Sequence, residues 1–421
     1  MNDVHKLDPA LLRGLTQSRL GRRGVLQMAG MAGGVAALSA CGGIKAQGKK
    51  ADTSASAVEK YWKAQKDTGQ LTWANWPLYL DTSGKSRHPS LEQFQKDSGI
   101  KVKYVEAIQD NGPFFAKVQP TLSDKQYSGY DLAVISSGIY FNKFRDLGFF
   151  VPLDQSRLTN FQANAGPKFK DPSFDPGNKL SIPYQAGFTG IGYNPAKTGR
   201  EITSWQDLTD PKFKGHIGMM ANNEDLPNIA LLAIGKDPLK STPSDWQQAA
   251  DWLNKMKPLV RNFYSQNYIN GLAQGDVWIS MAWSGDIFQQ NLSGKKTGSQ
   301  LKFVIPDEGG LLFTDNFVIL KEAKNPVSAM KLMDYYYQPK VAAEVTEWVN
   351  YISPVPGAQG VVKSDASAAK GEDKSYLDAV ASSYATFPGD SIYAKTSIGA
   401  TPKAGPDLDK WNSIFEPVYQ S

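Results

Sequence analysis

Aromatic residues beside carboxylates or hydroxyls recur in this chain where apolar, strand-like runs end. LTWAN runs into Trp76 and Tyr79, DLAVI into Ser136, Ser137 and Tyr140, and VWISMA into Trp283, Ser284 and Asp286; Phe313 and Asp315 stand just before another apolar run. Rings flanked by acids suit a cation with a hydrocarbon middle. An alkylammonium ionises at about 10.4, its methylenes pack on rings, and each charged end seeks a carboxylate or a ring face. Ring contacts contribute about 0.5–2 kcal/mol each and charged hydrogen bonds about 1.5–3 kcal/mol, so a handful gives micromolar or tighter binding after ordering costs. A sugar would stack on the same tryptophans, and paired carboxylates are also what a glycosidase uses. Each position has a plainer reading too: a Trp at a strand end is a common core residue, and Asp286 stands where it would cap a helix.

Other chemistries are missing. The three histidines, His5, His88 and His216, are scattered, so no pair has metal-ligand spacing and no HExxH occurs. There is no phosphate-binding loop and no serine in a nucleophile elbow. The cluster Gly187, Gly190, Gly192 has the wrong order for a dinucleotide loop, and close backbone packing is its expected use. The one cysteine, Cys41, rules out an internal disulfide or a redox pair. No metal or cofactor is expected. A formal charge of +5 is too small and too dispersed to imply nucleic acid.

The elements that must position these residues follow from periodicity. At about 150 residues per domain, 421 residues make two or three packed units, and 41% hydrophobic with 21% charged residues is a globular composition. LTWAN, the helical SLEQFQKDSG and the alternating IKVKYV read as β-α-β. A helix over 114–122, a strand over 131–135 and a helix over 141–147 follow. After GFTGIGYNP come a helical turn over 205–208, helices over 226–234 and 244–257, and the strand-like VWISMAW; NFVIL and a helix over 326–337 close the series. Such alternation predicts an α/β fold with a largely parallel sheet. Ligands of open α/β sheets bind outside the carboxyl ends of strands, which would bring the aromatic and acidic clusters to one crevice. The last forty residues read as surface loops with one short helix near Trp411.

Residues 1–40 read as an export signal: a polar start, Arg22-Arg23, then a glycine-rich apolar run. RRGVLQ resembles a twin-arginine signal, with Gly21 departing from the usual Ser or Thr, and LSAC resembles a lipobox with cleavage before Cys41 and a lipid on its thiol. The leader holds Lys6, Arg13, Arg19, Arg22 and Arg23 against Asp3 and Asp8, so only +2 remains on the mature chain. Residues 41–70 are expected as a lipid-anchored flexible tether, from Gly42 to about Ser56, and the start of the mature protein.

From Leu71 to Pro356 the chain resembles the spermidine/putrescine-binding proteins of bacterial ABC importers. Its markers, in order, are NWPLY, FQKDSGIKVKY, YDLAVISS, SIPYQAGFTGIGYN, TSWQDLTDPKFKG, MAWSGD, PDEGGLLFTDNFVI and NYISPVPGA. The resemblance implies a two-lobe, type II periplasmic-binding-protein-like α/β fold with crossover hinge strands, closing on its ligand. Lobe 1 would take 71–185 and the return over 313–421, and lobe 2 would take 186–312. By position, Trp76 and Tyr79 match an aromatic pair, Ser136 a pocket serine, Trp283 a ring of the second lobe and Asp286 an amine-binding aspartate. Phe313 and Asp315 match an aromatic and the principal acid, and Tyr351 matches a late tyrosine. The family's acidic pair falls on Asn222 and Asp225, with one acid replaced by an amide, and the aromatic after the serine falls at Tyr140 across a one-residue insertion. The implied protein is not an enzyme. It is a monomeric binding lipoprotein, held through Cys41 on the outer face of the cytoplasmic membrane. It would pass a small cationic amine to permease transmembrane subunits and their ATPase. The alternatives are a binder of an oligosaccharide, amino-acid derivative or opine-like compound, and a surface-anchored glycosidase.

Overall fold

The computed structural model describes residues 50–83, 87–264, 268–293, 300–403 and 405–420. The expected export signal and Cys41 lie outside the described residues. Ten strands form one sheet among the described residues: β1 (Gln70–Asn75), β2 (Lys101–Glu106), β3 (Leu132–Ser136), β4 (Ser181–Tyr193), β5 (Ile217–Met220), β6 (Val260–Tyr264), β7 (Ile279–Trp283), β8 (Lys302–Val304), β9 (Gly310–Ile319) and β10 (Thr396–Ser397). The order is β2-β1-β3-β9-β4-β7-β5-β6, with β8 on β4 and β10 on β9.

The sheet has two parallel wings. β1 pairs in parallel with β2 and β3, and the helices Pro89–Ser98 and Asn111–Ser123 cross over between these strands. β5 pairs in parallel with β6 and β7. Between the wings β4 and β9 run antiparallel to each other, from Ser181 opposite Val318 to Thr189 opposite Leu311. All thirteen residues of β4 are buried. These two long strands carry the chain from one half to the other. Side-chain alternation divides the first wing's apolar residues between two layers. Leu71, Trp73, Leu132, Val134, Phe317 and Ile319 face one helical layer, whereas Ala74, Ala133, Ile135, Val318 and Leu320 face the other. A separate core under the second wing is built on Trp205, Phe213, Ile217, Met219, Leu253, Ile279 and Met281.

Two expectations are corrected. In Ala55–Ala64 a helix places Val58, Tyr61 and Trp62 on one face. Trp62 is buried, and its Nε1 donates to the Pro152 carbonyl at 2.8 Å. The start of the mature protein after the tether, read without any element, is therefore a helix docked on the fold from Ala55 onward. At the other end, Pro406–Tyr419 is a fourteen-residue helix rather than a short one among surface loops. Leu408, Trp411, Phe415 and Val418, spaced three and four apart, make a stripe that packs into the second core, with Trp411 edge-on to Trp246 at 5.2 Å. After β9 the chain packs back into the first core but ends on the second.

Candidate functional site

Asp315 lies in the middle of β9, opposite Ser136 of β3 and Gln185 of β4. Phe313, two residues earlier, shares its face of the strand. The Asp315 side chain is only 6% exposed, yet its two contacts are hydroxyls: Tyr79 Oη donates to Oδ2 at 2.5 Å and Ser136 Oγ donates to Oδ1 at 2.6 Å. Loss of hydration pushes its pKa above the ordinary carboxylate value, the two hydroxyls partly offset this, and the charge of Asp225 adds to it.

Asp225 begins the helix Asp225–Ala233. Its Oδ2 accepts from Trp283 Nε1 at 3.1 Å and from Thr189 Oγ1 at 3.4 Å. Trp283 ends β7 directly across from Thr189 of β4, so sheet register brings both donors to one carboxylate. Burial raises the pKa of Asp225 as well. The Oδ1 of Asn222 accepts from the amides of Glu224, Asp225 and Leu226 at 3.2, 2.7 and 3.2 Å. An amide oxygen that an acid would replace in the related pattern is thus committed to the helix start, where it holds Asp225 in place.

Asp286, in the first turn of the helix Ser284–Ser293, accepts from Tyr268 Oη and Tyr351 Oη, each at 2.9 Å. Rings link the three carboxylates. Tyr351 lies 5.6 Å from Tyr79 and 6.3 Å from Phe313, and Phe313 lies 6.5 Å from Trp283, all edge-on. Two glycines seat these rings: a Cβ on Gly187 would stand 2.5 Å from Phe313 Cζ, and one on Gly285 would overlap the Tyr351 ring. Trp76 is half-buried at the end of β1, its Nε1 donating to the Val134 carbonyl at 3.0 Å.

Tyr140, expected as the aromatic after the pocket serine, has its backbone at Glu224 but packs its ring on another helix. Its ring meets Phe115 at 5.9 Å and Lys143 at 4.7 Å, and its hydroxyl lies against Gly112. The cause is local: the chain enters the helix Ile139–Asp146 through Gly138 at φ 143°, and that turn carries Tyr140 onto the helix Asn111–Ser123. Three participants escaped the sequence reading. Tyr268 and Thr189 stand outside the clusters singled out from the sequence, and Glu224, visible in the run NNED, was passed over for its neighbours. The Glu224 carboxyl accepts from the Ile139 N–H at 2.5 Å, and burial together with the Asp225 charge pushes its pKa up to about 8.

The sequence profile described as bacterial extracellular solute-binding protein matches residues 128–375. The spermidine/putrescine-binding periplasmic protein of Salmonella typhimurium is 34% identical over 315 residues, which are 74% of this chain and 84% of the relative. This chain is a bacterial extracellular solute-binding protein. The putrescine-binding periplasmic protein PotF of Escherichia coli is 30% identical over 307 residues, 69% of this chain and 79% of its own. Among solved structures, the spermidine/putrescine ABC transporter substrate-binding protein PotD of Streptococcus pneumoniae superposes with a TM-score of 0.67 at 26% identity, covering 83% of this chain and 98% of that one. The two-lobe α/β architecture expected of this solute-binding protein is the one these relatives share. Its family membership makes it a substrate-binding protein of an ABC transporter and not an enzyme. These curated relatives are periplasmic, and no described helix is long and apolar enough to cross a membrane.

Proposed function

We propose that this solute-binding protein captures a small cationic amine of the putrescine/spermidine type between its lobes and delivers it to a membrane permease with its ATPase. The observation that carries the reading is Asp315, a buried carboxylate met by two hydroxyls and linked through Tyr79, Tyr351, Phe313 and Trp283 to two more carboxylates. In this reading Asp315 takes one ammonium and Asp286 or Asp225 the other. Trp76, Tyr79, Trp283 and Phe313 are the walls, and Ser136 and Tyr351 supply hydrogen bonds. With Asn222 serving the helix start, a diamine is favoured over a triamine. The relatives at 34% and 30% identity are named for spermidine/putrescine and for putrescine, which supports an amine ligand.

A thermal-shift screen of diamines, polyamines, amino acids and sugars, followed by calorimetry, tests this. Putrescine at a hundred times its Kd should stabilise the protein by about 2.7 kcal/mol and be recovered unaltered. No shift with any amine would sink the reading.

Export through the leader, cleavage before Cys41 and a lipid on its thiol complete the proposal, placing a monomer on the outer face of the cytoplasmic membrane. Cys41→Ser is expected to move the protein from the membrane to the soluble fraction. A variant that still sediments with membranes would rule out the lipobox.

A further inference from the structure

Glu224 has no role in the ligand assignments above, although its carboxyl is enclosed beside two of the assigned residues, in a cleft it shares with Asp225 and Phe313. It stands one residue before the helix Asp225–Ala233 of the second lobe. Its Oε1 reaches the first lobe and accepts from the N–H of Ile139, the first residue of the helix Ile139–Asp146. That N–H is one of the groups a helix leaves unpaired at its start, and the helix dipole favours an oxygen there. Gly138 makes the approach possible, since a Cβ at this position would stand 2.6 Å from the same oxygen. The Ile139 side chain is itself buried in the second core, so one turn of the first lobe is held by packing and by a hydrogen bond together.

The geometry points to Glu224 as an interlobe latch, a positioning residue that holds the cleft closed by docking on the first turn of the helix Ile139–Asp146. The groups around it are Asp225 on its own segment, Asp110 before the helix Asn111–Ser123, and Tyr140 and Lys143 on the helix it meets. Asp409 and Glu416 of the C-terminal helix also face Lys143. With acids on both sides, a neutral acceptor serves as well as a charged one, so glutamine should replace Glu224 and alanine should not.

The latch is a protein-to-protein contact, so its effect on lobe closure does not require the amine reading; only its effect on release of the ligand rests on that reading. Small-angle scattering of the mature protein without ligand should give a larger radius of gyration for Glu224→Ala than for wild type, with Glu224→Gln close to wild type. With putrescine bound, Glu224→Ala should release it about fivefold faster, the value of one ordinary hydrogen bond. Gly138→Ala pushes the carboxyl away from the other side. In a double-mutant cycle, Glu224→Ala should add little to Gly138→Ala, whereas independent structural roles would add. Identical scattering and release for wild type and Glu224→Ala, or full additivity in the cycle, would overturn the latch. If wild type binds no amine, the scattering comparison and a cycle on radius of gyration still decide it.

Discussion

Asp315→Asn is expected to weaken putrescine binding about a hundredfold or more, because an ammonium buried without its countercharge loses several kcal/mol. The same change should leave the ligand-free protein at least as stable as wild type. Burial raises the pKa of Asp315 above its unfolded value. The folded state therefore holds this proton more tightly than the unfolded state, and stability from the group is present at low pH and lost as pH rises through the raised value. Asparagine carries no charge to desolvate, so the advantage of the variant should grow as pH rises from the unfolded carboxylate value to the raised one and level off above it. For wild type the ligand reverses the sign: an ammonium favours the ionised carboxylate, so binding releases protons and affinity falls on acidification. Calorimetry and thermal unfolding across pH 5.5–8.5 would read both effects. Unchanged affinity in Asp315→Asn would remove Asp315 from the site.

Trp283→Ala should cost about thirtyfold to several hundredfold in affinity, as expected for an aromatic anchor at the centre of an interface. Two roles meet in this side chain, and Trp283→Phe separates them. Phenylalanine keeps an edge for Phe313 but removes the Nε1 donor, leaving Asp225 with Thr189 Oγ1 at 3.4 Å and the side chain of Asn222. The pKa of Asp225, already raised, should rise further, since a donor that favours its charged form has gone. The expected loss for Trp283→Phe is about tenfold, growing toward acid pH, where the further raised carboxyl of Asp225 takes up its proton first. Equal losses for Phe and Ala, with no pH dependence, would mean that the indole acts only as a hydrogen-bond donor of no electrostatic consequence.

The α/β alternation was legible because β3 is an uninterrupted apolar run of the kind buried on both faces, while the edge strand β2 alternates apolar residues with lysines. LAVIS and VWISMAW needed no tertiary knowledge. Several element ends shift by two or three residues, as at the helix Ile139–Asp146, which the apolar period placed from residue 141. The C-terminal helix was missed for a compositional reason. Its stripe of Leu408, Trp411, Phe415 and Val418 follows a stretch rich in Gly, Pro and Ala, so the polarity of the surroundings outweighed the period.

For the candidate site, residue type and order single out Trp76, Tyr79, Ser136, Trp283, Asp286, Phe313 and Asp315, because each stands beside an apolar run; the structure moves Phe313 and Asp315 from just before a strand to the interior of β9. Resemblance of the ordered motifs to a known family added Asp225, Asn222 and Tyr351. What type and order leave undecided is the use each polar atom is put to. Asn222 and Asp225 are three residues apart and look alike as candidates, yet one oxygen is taken by three backbone amides and the other receives an indole and a hydroxyl from strands over thirty residues away. Tyr140 follows the pocket serine in sequence, but a single glycine turns it onto a neighbouring helix. Glu224 looks like a surface acid until the lobes come together over Gly138. The sequence by itself determined the α/β alternation, the strands β1, β2, β3, β7 and β9 and the class of side chain collected beside them, since these follow from local period and residue chemistry; the short strands β5, β6, β8 and β10 carried no such signal. Only the tertiary structure decided which carboxylates share donors and which one bridges the lobes, because those partners are set by sheet register and by contacts between segments far apart in the chain.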